Sequence, residues 1–385
     1  MTTENPLLGQ IRAALHSVND PEIHRPITDL GMVDEVALDE GGNAMVRVLL
    51  TVAGCPLKQK LVTDVTAAVS AVDGVNGVKV DLGVMDDEQR SALRQMLRGG
   101  QAERVIPFAQ PGNLTKVIAV ASGKGGVGKS SVTVNLALAL AALGRSVGIL
   151  DADIYGHSVP DMLGLGDATP TGVDDMIMPV PYNGVKVISV GMLKPSRDAV
   201  IAWRGPILDK ALTQLLADVY WGDLDFLLID LPPGTGDVAM SLGQKVPNSE
   251  VIVVTTPQLA ASEVAERAGT MASIMHQSVI GVVENMSWLE TTCPHCTQTH
   301  RIELYGRNGG QKVADALSAR LGHEVPLLAQ VPMEEELRAS GDLGTPIVET
   351  HPESPAAAAL IGLARRLAER KRGLSGMPLG ISPIG

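Results

Sequence analysis

Eight consecutive residues, from Gly123 to Ser130, could hold a phosphate group. Their order, G-K-G-G-V-G-K-S, matches the pattern G-x-x-x-x-G-K-[ST] at each fixed position. Glycine lets the backbone turn tightly, so that successive N–H groups converge on an anion. Lys129 is predicted to reach the β- and γ-phosphates of ATP, and the Ser130 hydroxyl to hold Mg²⁺. The predicted nucleotide contacts are Gly123, Lys124, Gly125, Gly126, Val127, Gly128, Lys129, Ser130 and Ser131.

The flanking sequence predicts the elements that such a loop needs. The apolar run 117–121 is typical of a buried parallel strand that leads into the loop. The Ala- and Leu-rich segment 131–143 predicts a helix that leads out of it and ends at Gly144. The N-terminus of that helix would add its positive dipole end to the phosphate site.

Further apolar strands alternate with helical segments from Thr115 onward, at 147–150, 185–190, 226–229, 251–255, 279–283 and 327–331. This alternation predicts an α/β fold, a doubly wound and mostly parallel sheet with ligand chemistry at the carboxyl ends of its strands. Asp230 directly follows the run 227–229. An acid at that place is the expected Walker B carboxylate, which binds Mg²⁺ through water.

Two cysteines stand two residues apart in the segment Cys293-Pro294-His295-Cys296. Paired thiolates can hold one soft metal centre, but a cubane cluster or a tetrahedral zinc normally has four ligands. His295 and His300 could add to the set, and a symmetric dimer would supply four thiolates. A redox disulfide and half of a zinc ribbon remain the alternatives.

Lys124 is a second lysine near the start of the loop, and an ordinary P-loop does not need it. The loop resembles the deviant Walker A loop of MinD, ParA and the nitrogenase iron protein. That resemblance implies a homodimer that sandwiches two ATP molecules, with Lys124 reaching the partner's nucleotide. Lys124, Lys129 and Asp153 are then the expected catalytic residues, with Asp153 orienting the attacking water and Asp151 near the metal.

Taken together, K-G-G-V-G-K-S, D-x-D-I-Y-G, D-L-P-P-G-T-G-D and C-P-H-C resemble the Mrp/ApbC family of iron–sulfur cluster carriers. The resemblance implies a slow, switch-like ATPase that binds a [4Fe–4S] cluster between subunits through Cys293 and Cys296. It would deliver the cluster from scaffold proteins to apo-proteins. It also implies that Asn285 reads adenine, although asparagine after a strand is a common turn residue. The alternatives are a MinD- or ParA-type positioning ATPase and an electron-transfer ATPase like the nitrogenase iron protein.

The chain is predicted to have two domains. Three short segments, D-P-E at 20–22, D-L-G at 29–31 and T-V-A-G-C-P at 51–56, resemble the small α+β accessory domain of iron–sulfur assembly factors, which is expected at residues 1–85. Residues 86–114 are predicted to form a linker, 115–372 the ATPase domain and 373–385 a flexible tail. Cys55 precedes a predicted helix, where the dipole can lower the pKa of a thiol. A reactive Cys55 and a buried packing residue are both open interpretations.

Composition and charge limit the classes of partner. The net charge of −12 argues against general binding of nucleic acid. No run approaches the ~20 apolar residues that span a bilayer, and no signal segment is recognisable, so a cytoplasmic protein is expected. The basic amphipathic segment 355–372 could dock on a membrane, or pack on the sheet with its cations near the C-terminus.

Overall fold

The computed structural model describes most of the chain. Its described residues are 6–39, 41–51, 57–97, 105–110, 112–154, 156–173, 176–194 and 205–370. Cys55 and the predicted tail 373–385 lie outside them.

The strands in chain order are β1 (Val33–Leu38), β2 (Asn43–Leu50), β3 (Gly77–Val84), β4 (Lys116–Ser122), β5 (Val147–Asp151), β6 (Thr171–Val173), β7 (Met176–Met178), β8 (Val180–Tyr182), β9 (Val185–Ser189), β10 (Phe226–Asp230), β11 (Glu250–Thr255), β12 (Ser278–Thr292), β13 (Thr299–Ile302) and β14 (Leu327–Met333). The helices are α1 (Pro6–His16), α2 (Lys58–Ser70), α3 (Asp87–Leu97), α4 (Lys129–Ala142), α5 (Val159–Met162), α6 (Gly205–Ala217), α7 (Asp237–Lys245), α8 (Leu259–Ile274), α9 (Gly309–Leu321), α10 (Glu335–Leu343), α11 (Ile347–Thr350) and α12 (Pro355–Glu369).

The first of two compact units draws its described residues from 1–105, 170–180 and 218–222. Its sheet has the order β1-β2-β3, antiparallel between β1 and β2 and parallel between β2 and β3. Strand β2 buries alternate residues, as a half-buried strand must. Leu61, Val65 and Val69 repeat every four residues along α2 and are buried in the same core.

A hairpin of β6 and β7 belongs to this first unit, although its sequence lies inside the stretch predicted as the ATPase domain. Val173, Met176 and Met178 are buried in the core of the first unit. The Ile177 N–H donates to the carbonyl of Asp218 at 2.8 Å, which joins the hairpin to segment 218–222. The contacts therefore assign residues 170–180 and 218–222 to the first unit; the remaining predicted boundaries stay predictions.

The second unit is built on a sheet of nine strands within the described residues, in the order β13-β12-β11-β4-β10-β5-β9-β8, with β14 also paired to β12. The pairs β4–β10, β10–β5, β5–β9, β4–β11, β11–β12 and β12–β14 are parallel. Strands β4, β5 and β10 are buried almost throughout, which explains their continuous apolar runs. This sheet and the small α+β unit confirm the predicted fold class.

The register of the parallel strands aligns their carboxyl ends. Asp230 at the end of β10 pairs with Val120 of β4 on one side and with Asp151 of β5 on the other. Asp151 in turn pairs with Ser189 of β9. Parallel pairing thus brings two acids and a hydroxyl, which are far apart in sequence, to one edge of the sheet.

The amphipathic helix α12 packs within the second unit. Ala356, Leu360, Leu363 and Leu367 are buried, and the helix contacts α4 and β14. The Arg370 guanidinium donates to both carboxylate oxygens of Glu250, at 2.9 and 3.1 Å. The packed-helix interpretation accounts for this apolar face. No helix in the described part of the chain is long and apolar enough to span a membrane.

Candidate functional site

The phosphate-binding loop connects β4 to α4, as the sequence predicted. Gly126 and Gly128 both have φ of 78°, a left-handed conformation that favours glycine. A Cβ on Gly123 would lie 2.3 Å from the backbone carbon of Val264, so only glycine fits there. Helix α4 begins at Lys129, two residues earlier than predicted, because Lys129 and Ser130 form its first turn.

Asp230 is the centre of a buried hydrogen-bond cluster. The Lys129 ammonium and the Ser130 hydroxyl both reach Asp230 Oδ2 at 2.6 Å. The Thr133 hydroxyl donates to Asp230 Oδ1 at 2.7 Å. Because the Asp230 carboxylate is fully buried, it needs these donors to be stable as an anion. The structure therefore joins the predicted phosphate lysine, magnesium hydroxyl and Walker B acid.

Asp151 lies beside Asp230 and is also fully buried. The Ser189 hydroxyl donates to Asp151 Oδ2 at 2.9 Å, and the Asp153 N–H donates to Asp151 Oδ1 at 3.1 Å. Burial, together with the negative charge of Asp230, raises the pKa of Asp151 to about 8. Two neighbouring carboxylates are a set of oxygen donors that suits a divalent cation such as Mg²⁺.

Asp153 approaches the same cluster from the loop after β5. Its Oδ2 lies 3.7 Å from the Lys129 ammonium, and its Oδ1 accepts the Gly156 N–H at 3.0 Å. The second contact is within the loop and fixes the direction of the carboxylate. Asp153 therefore faces the place where Lys129 would meet phosphate, which suits a residue that orients water.

A cleft of about 700 Å³ opens above this cluster. Its volume lies in the range that protein sites use for ligands of nucleotide size. Its lining includes residues 122 and 124–131 of the loop region, together with Asp153, Pro233 and Asp237. Lys124 lines the cleft with an exposed side chain, so it is accessible to a second molecule.

Asn285 lies beneath the loop and is not among the residues that line this cleft in the described chain. Its amide nitrogen donates to the Val127 carbonyl at 2.9 Å, and a Cβ on Gly128 would lie 2.1 Å from that nitrogen. Asn285 Oδ1 is buried without a hydrogen-bond partner among the described residues. One acceptor therefore remains open, and the contact with adenine stays a prediction.

These residues pass a test of fit for ATP and Mg²⁺. Gly126 lines the cleft, and a Cβ added there would meet no atom within 4 Å, so the loop leaves open space at this place. The hydroxyl and carboxylate oxygens of the cluster are hard donors. Lys129 supplies the positive charge that phosphates require. The chemistry that this site can perform is binding and charge stabilisation of a transferring phosphoryl group.

The cysteine pair lies at the tip of a hairpin formed by β12 and β13. Strand β12 continues to Thr292, nine residues beyond the predicted end at 283, and Thr292 pairs with Thr299. Cys293 is half-buried, Cys296 is exposed, and both thiols are free. The backbone N–H groups of Cys296 and His295, with the Cys296 side chain, lower the pKa of Cys293. The Cys293 thiol therefore loses its proton more readily than an isolated cysteine does, and metal binding requires that loss.

Three side chains stabilise the base of this hairpin. The Arg301 guanidinium lies 4.3 Å from the ring centre of Trp288 and donates to Glu290 at 3.0 Å. The Trp288 indole N–H also reaches Glu290, at 3.3 Å. This cross-strand cluster holds β13 against β12, so the turn that carries the cysteines is presented on an ordered arm.

Comparison with known proteins shows the family to which the chain belongs. A family model described as NUBPL iron-transfer P-loop NTPase matches residues 113–368. The chain belongs to this family. A second model, described as an iron–sulfur cluster assembly protein, matches residues 9–82.

Relatives of this NTPase match more than nine tenths of its length. A protein of Mycobacterium tuberculosis (strain H37Rv) named iron-sulfur cluster carrier protein is 53% identical over 382 residues, which cover 99% of this chain and 98% of that protein. A protein of the same name from Deinococcus radiodurans is 44% identical and covers 92% of this chain and 93% of its own length. The resemblance drawn from the sequence motifs is thereby confirmed.

One solved structure of a related fold is a nucleotide-binding protein of Archaeoglobus fulgidus in complex with ADP. It is 34% identical and covers 63% of this chain and 93% of that chain, with a TM-score of 0.49. The chain described here is a P-loop NTPase in its own right, since its loop, its acids and its sheet edge are assembled as that class requires.

Sequence reasoning missed two residues of this P-loop NTPase site. Thr133 lies one helical turn after Lys129, and a threonine at i+4 from the loop lysine faces the same way. Ser189 ends β9, next to Asp151 in the register, and a polar residue at the end of a predicted buried strand was the signal. Both signals become specific only when the neighbouring strands are known.

Proposed function

We propose that this protein is an ATP-dependent carrier of iron–sulfur clusters, working as a homodimer that holds one [4Fe–4S] cluster between its subunits. The observation that carries the proposal is the presence of two sites in one unit. One is an assembled phosphate cluster around Asp230, and the other is a pair of free thiols, the half-buried Cys293 and the exposed Cys296. Relatives over the full length bear the name iron-sulfur cluster carrier protein, which supports the cargo.

The nucleotide site acts as a switch. Lys129 is paired with Asp230, and ATP would offer this lysine a second anionic partner in its phosphates. Ser130 and Asp230, both in one cluster, are the residues that hold Mg²⁺, with Asp151 next to them. The bound ion would neutralise charge on the phosphates, which is most of what phosphoryl transfer needs from a protein.

Hydrolysis depends on Asp153 and Lys124. The Asp153 carboxylate orients the attacking water, because it faces the cluster and its direction is fixed by the Gly156 N–H. Lys124 is exposed at the cleft, and in the closed dimer it contacts the phosphates bound to the partner. Hydrolysis is therefore coupled to the closure of two subunits, and turnover is slow.

The cluster is completed by symmetry. Each subunit offers two adjacent thiolates, and a cubane takes four. Ile302 and Leu304, just after the cysteine turn, expose 41% and 56% of their surfaces. Large apolar side chains beside the thiols suit burial by a second subunit. The cluster stays close to the surface, where scaffold proteins can load it and apo-proteins can accept it.

The need for reduced thiols indicates the cellular compartment in which the protein acts. Cluster binding requires reduced cysteines, and the net charge of −12 disfavours nucleic acid as a partner. We therefore place its activity in the cytoplasm, with apo-proteins as acceptors and no stable insertion into membranes.

A transfer assay tests this function. Protein reconstituted anaerobically with iron and sulfide is mixed with an apo-enzyme that needs a [4Fe–4S] cluster, with and without Mg-ATP. We expect the enzyme to gain activity while the carrier loses its visible absorption. A carrier that keeps its cluster throughout would indicate electron transfer. ATP-dependent co-sedimentation with liposomes or DNA, without any transfer, would indicate a positioning ATPase.

A further inference from the structure

The cysteine turn holds a third potential ligand. The ligand atoms of Cys293, Cys296 and His300 all lie within 4.8 Å of one another. His300 Nε2 is 3.6 Å from Cys296 Sγ. Among the described residues this is the one group of three His, Cys, Asp or Glu side chains close enough to share a metal ion.

The register of the hairpin explains why His300 faces the thiols. In β13, His300 pairs with Thr291, and its neighbour Arg301 pairs with Glu290. Successive side chains of a strand point to opposite faces. Arg301 lies on the face of the hairpin that carries Trp288 and Glu290. His300, the residue before it in the strand, therefore lies on the opposite face of the hairpin.

The turn itself is also closed by hydrogen bonds. The Cys293 N–H donates to the Gln298 carbonyl, and the Thr297 N–H donates to the Cys293 carbonyl, both at 2.9 Å. These bonds fix the backbone that carries both thiols relative to the strand that carries His300. The three ligands are thus brought together by one subunit alone, before any partner arrives.

We propose that Cys293, Cys296 and His300 of a single subunit bind one soft divalent cation of the first transition row, such as Zn²⁺ or Fe²⁺. Two thiolates and one imidazole are a three-ligand set that leaves the fourth tetrahedral position open. The half-buried and exposed side chains leave that position accessible to solvent. The inference rests on the proposed function only in taking the two cysteines as metal ligands.

This site and the bridged cluster are alternatives. Both need Cys293 and Cys296, but the cation needs His300 and one subunit, whereas the cluster needs four thiolates and two subunits. A single-subunit site therefore predicts one cation per chain and a role for the imidazole that a Cys₄ cluster does not require.

The test is an anaerobic titration of metal-free protein with Co²⁺, which reports tetrahedral thiolate coordination by its absorption. We expect one Co²⁺ per chain, with sulfur-to-cobalt charge-transfer bands and intense d–d bands. His300→Ala should weaken binding by about tenfold or more, since even outer-shell partners of metal ligands change affinity by 10–100-fold. His295→Ala, in the same turn but outside the three-ligand group, is the matched control and should bind as wild type does.

The result that overturns the proposal is His300→Ala protein with the affinity and spectrum of wild type, or one Co²⁺ per two chains. Iron–sulfur reconstitution of wild type is measured in parallel to separate the two claims. Cobalt binding as expected without any cluster would contradict the proposed function and leave the three-ligand site standing. An iron–sulfur cluster in wild type, together with full cobalt affinity in His300→Ala, would support the proposed function and contradict the three-ligand site.

Discussion

The hydroxyl of Thr133 donates to Oδ1 of Asp230 at 2.7 Å, while Lys129 and Ser130 occupy Oδ2 of the same carboxylate. Because the Asp230 carboxylate is fully buried, each of its two oxygens needs a donor, and the Thr133 hydroxyl is the donor to Oδ1. Thr133 therefore helps to fix the direction of this carboxylate, whose other oxygen faces the Lys129 ammonium and the Ser130 hydroxyl.

Replacing Thr133 by Val removes this donor and keeps the shape of the side chain. A hydrogen bond to a charged group contributes about 1.5–3 kcal/mol, so we expect kcat/KM for ATP to fall by about tenfold or more. The loss should be greatest at low Mg²⁺ and smaller at saturating Mg²⁺. Thr133→Ser keeps the hydroxyl and should retain most of the activity. A Thr133→Val variant as active as wild type would contradict a role for this hydrogen bond.

Lys129→Ala should abolish measurable ATPase activity, because it removes the charge that the phosphates need. It also leaves the buried Asp230 without its cation, and breaking a buried pair costs about 3–5 kcal/mol. The Ser130 and Thr133 hydroxyls remain and should reduce that cost. A steady-state phosphate-release assay and thermal unfolding check the two effects, and wild-type turnover in this variant would refute the assignment.

Lys124→Ala should reduce hydrolysis more than nucleotide affinity, since Lys124 is exposed at the cleft and in the proposed dimer acts only when the second subunit closes on it. Asp153→Ala is the matched comparison and should leave ATP bound but uncleaved. Fluorescent-nucleotide binding and single-turnover hydrolysis separate these quantities. Normal hydrolysis by Lys124→Ala would make this an ordinary P-loop.

The buried carboxyl of Asp151 should make the stability of the protein, measured without nucleotide, depend on pH. Its pKa rises from 3.8 to about 8 on folding, chiefly because the carboxyl is buried. The folded chain therefore binds this proton more tightly than the unfolded chain does. The free energy of unfolding falls as pH rises from 3.8 to about 8, because the unfolded chain gives up the proton first. Asp151→Asn has no proton to lose at this position. Its midpoint temperature of thermal unfolding, measured in EDTA, should therefore rise relative to that of wild type as pH increases through this window.

The control for this measurement is Asp342→Asn, which changes an exposed carboxylate paired with Arg338. A surface pair of this kind contributes little to stability, so its difference from wild type should stay flat with pH. A flat difference for Asp151→Asn as well would contradict a raised pKa at Asp151.

The sequence predicted the nucleotide edge of the sheet well, for a physical reason. Local patterns specify a glycine loop, a buried strand and a helix, and parallel strands bring Asp151 and Asp230 to the same edge. It could not predict Thr133 as a partner of Asp230, because that contact depends on how closely α4 packs on β10. Asn285 shows the same limit, since its packing against Gly128 is a tertiary contact.

The longer-range features also escaped prediction. Residues 170–180 were assigned by continuity to the second domain, although Val173, Met176 and Met178 are buried in the first unit. Strand β12 from 284 to 292 carries mostly polar residues, so its sequence does not have the apolar pattern of a buried strand. Its pairing with β13 is established by the backbone register, from Leu289–Ile302 to Thr292–Thr299.

The central claim is that two subunits share one cluster through Cys293 and Cys296, and iron stoichiometry tests it most directly. Metal-free protein is reconstituted anaerobically with iron and sulfide, and the dimer fraction is analysed for iron, sulfide and Mössbauer parameters. We predict about four irons per dimer, and no brown chromophore in Cys293→Ala or Cys296→Ala, both of which should still bind ATP. Four irons per subunit, or a cluster that survives in either variant, would contradict the bridged centre.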